Sequence, residues 1–233
     1  MSVPEQGLYI DLLSQCRLFY GIEPNALSPL LTQLGAQRRQ YAKNALLLRP
    51  EESHGRIGIL LEGRAYVQRE EYSGARTLLT ELEPGDLFGE AFACAPDTAL
   101  PPDICARAAD FCAVLWLDFG QVLRHPSLDP AHKTALVSNM LAVLAEKDLL
   151  LSRRIGHLSK RSTREKLLSY LFEQSQRCGS SSFLIPFDRQ ALADYLCVDR
   201  SAMSAALSRL RAEGLIEYHR SQFTLTERFH ELF

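Results

Sequence analysis

Residues 186–225 read PFDRQALADYLCVDRSAMSAALSRLRAEGLIEYHRSQFTL, and this stretch decides the fold of the C-terminal part of the chain. It contains two short helical patterns separated by a break, followed by two short β patterns around a polar turn. Asp188 and Asp199 directly precede the helical patterns, where a carboxylate can accept the free N–H groups of a first turn. Gly214 stands where a helix ends in the left-handed region. The sequence therefore predicts a helix, a turn, a second helix and a β wing.

The second helical pattern, Arg200 to Leu210, is poor in large side chains. Small residues let a helix backbone lie close to a groove, and a winged helix-turn-helix places this helix in the major groove of DNA. Arg200 can reach the O6 and N7 acceptors of guanine, whereas Arg189, Arg209 and Arg211 suit phosphates. A winged helix that contacts proteins is the alternative. The predicted DNA-binding residues are Arg189, Gln190, Asp199, Arg200, Ser201, Ser204, Ala205 and Arg209.

The charge of the chain is divided unevenly along its 233 residues. Residues 1–152 hold 13 Lys/Arg against 19 Asp/Glu, net −6, whereas residues 153–233 hold 13 against 9, net +4. A basic C-terminal part beside an acidic N-terminal part favours a nucleic-acid-binding domain at the C-terminal end.

The first half of the chain has the pattern of a β-sandwich or barrel. Short strand patterns separated by turn residues begin near residue 36, and many short, evenly spaced strands are typical of such folds. In the last strand region, 104–117, alternate residues predict two faces, with Phe111, Ala113, Leu115 and Leu117 on one and Cys112, Val114 and Trp116 on the other. The predicted strands are 37–41, 45–48, 56–61, 64–70, 76–81 and 104–117.

A long helix follows Pro130. Apolar residues recur at spacings of four and three, which predicts a coiled-coil seam between two copies of the chain, with one polar interruption. A second apolar set, Leu136, Met140, Val143 and Leu150, is expected to cover the roll. A single helix lying on its own roll is the alternative to dimerisation. The predicted dimer seam consists of Val137, Leu141, Leu144, Asp148, Leu151, Ile155 and Leu158.

Several classes of protein lack their signature in this sequence. We find no apolar stretch of about 18 residues and no basic leader, so we expect a cytoplasmic protein without a membrane partner. The six cysteines form no CxxC pair, so free thiols are expected and no metal site is predicted. The nucleotide-binding and hydrolase motifs of common enzymes are missing, so no catalytic residue is predicted and an enzyme is not expected.

The whole order resembles the Crp/Fnr family of transcription regulators. Three stretches carry the resemblance: GILLEGRAYVQ at 58–68, LEPGDLFGEAF at 82–92 and RQALADYLCVDRSAMSAALSRLRAEGLI at 189–216. The resemblance implies an α+β fold with an N-terminal jelly-roll-like β-roll of the cyclic-nucleotide-binding-domain type (1–128), a dimerisation helix and hinge (129–160), and a winged-helix DNA-binding domain (161–233). It also implies a homodimer that binds a palindromic operator in double-stranded DNA, with RNA polymerase as a further partner.

Two departures from the family matter for function. Members that bind cAMP carry an Arg-Ser pair whose arginine neutralises the cyclic phosphate, and the equivalent positions here hold Pro102 and Asp103. Opposite charges about 4 Å apart are worth about 4 kcal/mol at an effective dielectric of about 20, against about 8 kcal/mol for a micromolar affinity. We therefore expect an effector other than cAMP. Ser201 and Ala205 also replace a common Glu and Arg, so the DNA half-site should differ from the best-known ones.

The resemblance places an effector chamber between the roll and the long helix. The effector is an unknown small molecule, and the sequence requires no cofactor. The alternatives are a cyclic-nucleotide-type sensor that regulates a partner protein, a thiol-sensing regulator that uses Cys94, Cys105 or Cys112, and a constitutive regulator with a filled roll. The residues predicted for the effector pocket are Leu87, Phe88, Gly89, Glu90, Asp103, Arg107, Asn139, Met140 and Val143.

Overall fold

A computed structural model describes residues 9–48, 55–70, 76–95 and 103–232. The chain divides into two compact units, an N-terminal unit of Met1–Glu146 and a C-terminal unit of Lys147–Phe233. The division falls inside a long helix, so that helix contributes residues to both units.

The N-terminal unit contains two antiparallel sheets of four strands each in the described ranges, with strand orders β1-β8-β3-β6 and β2-β7-β4-β5. Helices α1 and α2 and a short 3-10 turn, Arg17–Phe19, precede the first strand. The elements are α1 (Ile10–Gln15), α2 (Pro24–Gln33), β1 (Gln37–Tyr41), β2 (Leu46–Leu48), β3 (Arg56–Glu62), β4 (Ala65–Glu70), β5 (Arg76–Leu82), β6 (Leu87–Phe88), α3 (Glu90–Cys94), β7 (Ile104–Ala108), β8 (Cys112–Asp118) and α4 (Gly120–Arg124).

Strand β8 shows how the layers are built. Its residues Ala113, Leu115 and Leu117 join a core shared with the helices, because one face of the strand lies against them. Alternate residues, including Val114 and Trp116, join a second core with residues of the other sheet. The β-roll fold class is therefore confirmed, as is the two-faced pattern from Cys112 onward. The assignment of Phe111 to the helix-side face is wrong, because this residue precedes β8 and is 51% exposed.

The predicted strand region 104–117 is two strands rather than one. Strands β7 and β8 are separated by a turn at residues 109–111, and they lie in different sheets. The connection between β3 and β4, which also lie in different sheets, turns at Gly63 with φ +81°. A β-carbon at Gly63 would collide with the carbonyl oxygen of Phe111, so the close approach of these two turns requires glycine.

The long helix α5 spans Pro130–Leu158. Leu136 and Met140 are buried in the helix-side core, and Val143 is also buried, as expected for residues that cover the roll. Leu150, which was predicted to belong to this set, is 50% exposed, so that assignment is wrong. It lies in the half of the helix that clusters with the C-terminal unit.

The C-terminal unit is a winged helix-turn-helix. Helix α6 (Thr163–Cys178) begins with a capping box between Ser162 and Glu165 and ends at Gly179. The elements that follow are β9 (Ser182–Leu184), α7 (Arg189–Tyr195), α8 (Arg200–Ala212), β10 (Ile216–His219), β11 (Gln222–Leu225) and α9 (Glu227–His230). Strands β10, β11 and β9 form one antiparallel sheet in that order, and the short helix α9, capped by Thr226, was not predicted.

Candidate nucleic-acid interface

Helix α8 separates a buried face from a polar face. Met203, Leu207 and Leu210 are buried in the core of the C-terminal unit. The spacing of four and three residues leaves the opposite side of the helix exposed. The exposed residues there are small: Ser201, Ser204, Ala205 and Ser208. Helix α8 therefore presents a flat surface of low relief, as a helix that enters a groove requires.

Asp199 fixes the N-terminus of this helix. Its Oδ1 accepts hydrogen bonds from the backbone N–H groups of Ser201 (2.8 Å) and Ala202 (3.1 Å), and from the Ser201 hydroxyl. These hydrogen bonds lower the pKa of Asp199, and the bond from the Ser201 hydroxyl has the largest effect. The carboxylate is therefore charged at neutral pH and engaged in the cap, which places a negative charge at the start of the predicted reading helix.

The other predicted DNA-binding residues differ in their availability. The side chains of Arg200 and Arg209 are exposed and make no hydrogen bond or ion pair with other residues of the described part of the chain. The Gln190 amide instead donates to Asp194 Oδ1 at 2.8 Å, one helical turn away. Arg200 at the N-terminus of α8 is thus the predicted base-reading cation that the structure leaves open to solvent.

Arg189 lies in a different environment from the one expected for a phosphate contact. Its guanidinium lies over the rings of Tyr218 (4.9 Å) and Phe223 (5.3 Å), and burial lowers its pKa. The Arg211 guanidinium also lies over the Tyr218 ring, 5.5 Å from its centroid. Its Nε pairs with Glu217 Oε2 at 3.0 Å. Both arginines therefore fasten the wing sheet to the helices.

One exposed cation of this surface was missed in the sequence. Arg220 occupies the turn between β10 and β11, with φ +51°, and is exposed at the tip of the wing. The sequence signal was present, because an arginine in the polar turn of a predicted wing is placed to reach a phosphate.

The residues predicted for the effector pocket fall into separate environments. Leu87, Phe88 and Glu90 are buried, and Gly89 turns the chain between β6 and α3 with φ +79°. The Phe88 ring meets the Trp116 ring edge-on, with centroids 5.3 Å apart, in the core between the sheets. Part of the interior of the roll is thus filled by aromatic side chains.

Asp103 directly precedes strand β7 and Arg107 lies on it, and both side chains pair with charged residues of the neighbouring strand β4. Asp103 Oδ2 accepts from Arg69 Nε at 2.8 Å. Arg107 donates to Glu70 Oε1 at 3.1 Å and to the Asn44 carbonyl oxygen at 2.8 Å. Pro102 lies outside the described residues. The negative charge of Asp103 is therefore offset by Arg69.

Helix α5 contributes Asn139 to the N-terminal helices. The Asn139 amide donates to the carbonyl oxygens of Leu18 (2.9 Å) and Tyr20 (2.8 Å). A cavity of about 290 Å³ also lies in the N-terminal unit, lined by Arg56, Asp118 and Gln121 among others. Its lining includes no residue that was predicted for the effector pocket, within the part of the chain described.

Three of the six thiols, Cys16, Cys105 and Cys112, are buried, whereas Cys94, Cys178 and Cys197 are exposed. Burial raises the pKa of Cys16 to about 11 and raises the pKa of Cys112 and of Cys94 above the ordinary thiol value. All six cysteines are free, and the described residues contain no group of three or more His, Cys, Asp or Glu that could hold a metal ion. No helix in the described ranges is long and apolar enough to cross a membrane.

Comparison with known proteins agrees with this architecture. Residues 38–124 match the model of the cyclic nucleotide-binding domain, and residues 165–229 match the model of the Crp-like helix-turn-helix domain. A roll of the first class with a winged helix of the second defines a two-domain regulator. By these two domains the chain belongs to the Crp/Fnr family of transcription regulators.

Individual relatives are distant. A CRP-like cAMP-activated global transcriptional regulator of Mycobacterium tuberculosis is 30% identical over 80 residues, which are 34% of this chain and 35% of that protein. The chain thus spans about a third of the length of this curated relative. Two solved structures share the fold with TM-score 0.60: a CooA mutant from Carboxydothermus hydrogenoformans (20% identity, 88% of this chain and 89% of that one) and the c-di-GMP-responsive regulator CLP from Xanthomonas campestris (17% identity, 87% and 99%).

Proposed function

We propose that the chain is a homodimeric, effector-responsive transcription regulator that reads a palindromic DNA operator with helix α8. The observation that carries the proposal is the exposed face of α8, where small residues surround Arg200 at the helix N-terminus. Arg200 would read guanine, Ser201 and Ser204 would meet polar base edges, and Ala205 would contact a thymine methyl group. Arg209 and Arg220 would contact phosphates and set the register on the duplex.

An exposed apolar row on α5 supports dimerisation. Leu141, Leu151 and Ile155 are 64%, 60% and 66% exposed, and each belongs to the predicted seam. Fully burying an aliphatic side chain of this size is worth about 1.5–3 kcal/mol, so leaving three of them in water is costly. Pairing with a second copy removes them from water, and the two-fold axis that results requires a palindromic operator with half-sites about one helical turn apart.

The effector would act by shifting the populations of two dimer conformations. A ligand in the roll that fits one conformation better changes the spacing of the two recognition helices and so the affinity for DNA. The missing arginine at Pro102 argues against cAMP as that ligand, whereas the charge of Asp103 is offset by Arg69 and adds little to the argument. RNA polymerase is the partner through which a bound dimer would change transcription.

The experiment that tests this function is selection of DNA from a random pool with the purified chain. It is run alone, with cAMP, and with a small-molecule extract of cells. A palindrome enriched in any arm supports the proposal, and the arm in which it appears tells whether an effector is needed. Enrichment only with cAMP would overturn the effector assignment. Absence of enrichment in every arm would favour a sensor that regulates a partner protein.

Thiol sensing is the weaker of the remaining candidates. A reactive cysteine needs thiolate character and access, whereas burial raises the pKa of both Cys94 and Cys112. Binding of the enriched duplex before and after treatment with hydrogen peroxide distinguishes this candidate. A loss of binding that dithiothreitol restores would favour it.

A further inference from the structure

A buried polar cluster lies where the long helix ends. His157 occupies the last turn of α5 and is 3% exposed. Its Nε2 lies 2.9 Å from Glu173 Oε2, and its Nδ1 lies 2.9 Å from the Ser169 hydroxyl, both on α6. A histidine with both ring nitrogens engaged has its orientation fixed, so these two contacts hold the end of α5 on α6.

Further contacts surround this pair within the C-terminal unit. Arg153 Nε, one helical turn before His157, lies 3.6 Å from the other oxygen of Glu173. The Arg154 guanidinium lies 5.0 Å from the ring centroid of Tyr195 at the end of α7, and its Nε donates to the Tyr195 carbonyl oxygen at 3.3 Å. The last turn of α5 is thus tied to α6 and to the first helix of the helix-turn-helix.

The connector between the helices is short. Helix α5 ends at Leu158 and α6 begins at Thr163, with the Ser162–Glu165 capping box fixing the start of α6. The cluster spans this connector, so the direction in which α6 leaves α5 depends on the pair as well as on four connecting residues. The pair is therefore one of the contacts that set the direction of this joint, beside those of Arg153 and Arg154.

We propose that the His157–Glu173 pair is a positioning latch, which fixes the helix-turn-helix on the end of α5 so that both recognition helices of a dimer contact a palindrome together. The proposal rests on the dimeric DNA-binding function proposed above. Simultaneous contact by two linked sites strengthens binding by a factor that is lost when the geometry forbids it. The latch therefore raises the affinity for a palindrome relative to the affinity for a half-site. The affinity of one helix-turn-helix for one half-site does not depend on the latch.

The charge state of His157 sets the strength of the latch. Burial lowers its pKa, Glu173 opposes that shift, and Lys160 adds to it. The folded unit therefore favours neutral imidazole, with Nε2–H donating to Glu173 and Nδ1 accepting from Ser169. Because the pKa is lowered, the contribution of this pair to stability is complete above the ordinary histidine value of about 6.5 and is lost as the pH falls below it. The titratable and charged groups that face His157 are Lys160 from the connector, Glu173 and Tyr170 from α6, and Tyr195 from α7. Three arginines contact these neighbours: Arg153 pairs with Glu173, Arg154 lies over Tyr195, and Arg177 acts on Tyr170 and Tyr195.

The test measures affinity for a palindromic duplex and for its half-site, using the duplex that the native chain enriches. The variants are His157→Phe, which keeps the ring contacts with Tyr170 and Tyr195, and His157→Gln, whose amide can still donate to Glu173. We expect His157→Phe to reduce the ratio of the palindrome to the half-site affinity by about tenfold or more, and His157→Gln to retain most of it. Glu146→Gln, which breaks an exposed ion pair with Arg17 elsewhere on α5, is the matched control and should leave the ratio unchanged.

A structural role alone gives a different pattern. Loss of folded protein lowers both affinities equally, so an unchanged ratio in His157→Phe would overturn the latch. The native ratio should also be constant above about pH 6.5 and fall as the pH is lowered below it, and that fall should be smaller in His157→Gln. A flat native profile, or the same profile in both proteins, counts against it.

A second measurement separates failure of the latch from failure of the proposed function. If the native chain shows no palindrome advantage, the dimeric regulator is wrong. Amide hydrogen exchange still reports on the joint in that case. The latch requires faster exchange at residues 159–163 in His157→Phe, with α8 unchanged, and equal exchange in both proteins would overturn it.

Discussion

The aromatic ring of Phe88 occupies the space that a β-carbon on Gly58 would need. Three ring atoms lie within contact distance of that position, and the ring meets Trp116 on its edge. Gly58 and Phe88 are directly paired in strands β3 and β6. The Phe88 side chain therefore holds the LFGE segment, residues 87–90, in the roll. Its ring fits there only because the facing residue, Gly58, has no side chain.

This fit predicts that Gly58→Ala destabilises the N-terminal unit. The added methyl group must displace the Phe88 ring in a packed core, and overpacking of this kind costs about 1–3 kcal/mol. Denaturant unfolding of the full chain measures the change. A stability equal to that of the native chain would show that the Phe88 ring has space to move.

Gly156→Ala, in the long helix, tests the opposite case, a glycine with room for a side chain. A β-carbon at Gly156 meets nothing within 4 Å, and its φ is not positive. Alanine is favoured over glycine inside a helix by about 0.5–1 kcal/mol, so this variant should be more stable by that amount. Thermal unfolding measures it. Unchanged or lower stability would indicate that the end of α5 needs the flexibility of glycine at this position.

The sequence predicted local features well. Asp188 and Asp199 are caps because the residues that they cap follow within three positions, and the alternation in β8 needs only its own residues. The split of 104–117 into two strands was missed because residues 109–111, Ala-Asp-Phe, contain neither glycine nor proline. This turn packs closely against Gly63, which is distant in sequence, so no local pattern indicates it.

The environment of charged side chains could not be predicted in the same way. Arg189 lies against Tyr218 and Phe223, about thirty residues further along the chain, so a local pattern makes it a candidate phosphate contact. The partners of His157 lie on the following helix, across a turn whose direction no motif gives. These contacts depend on tertiary packing.

Asp199→Asn tests the negative charge at the start of α8. Asparagine is as good a helix cap as aspartate, so thermal stability at neutral pH should be unchanged. DNA affinity should rise for all duplexes, because a carboxylate near the phosphates is removed. The pKa of Asp199 is lowered, so the native chain loses the contribution of this cap as the pH falls from the ordinary aspartate value through the folded one, and the variant does not. Melting curves from neutral to acid pH measure this, and parallel curves would contradict it.

Leu151→Glu tests the seam on α5. Leu151 is 60% exposed in the single chain, so a charged side chain there leaves the core of each unit intact, yet it places two carboxylates in the seam of a dimer. We expect a folded monomer by analytical ultracentrifugation where the native chain is a dimer. Ser152→Glu, at an exposed position outside the seam, is the control. Equal mass of native chain and Leu151→Glu would place the dimer contact elsewhere.

Arg200→Ala and Arg209→Ala separate base reading from phosphate contact. Arg200 stands at the N-terminus of α8, where a bidentate contact with guanine is worth about 1–3 kcal/mol of discrimination. Its removal should weaken the enriched duplex and relax the preference at one position of each half-site. Arg209 lies two turns further along, so its removal should weaken all duplexes similarly and reduce the salt dependence of binding by about one charge per subunit. Selection with each variant and binding titrations at several salt concentrations measure both effects. A relaxed position in Arg209→Ala with none in Arg200→Ala would reverse the two roles, and α8 would then read bases with its C-terminal half.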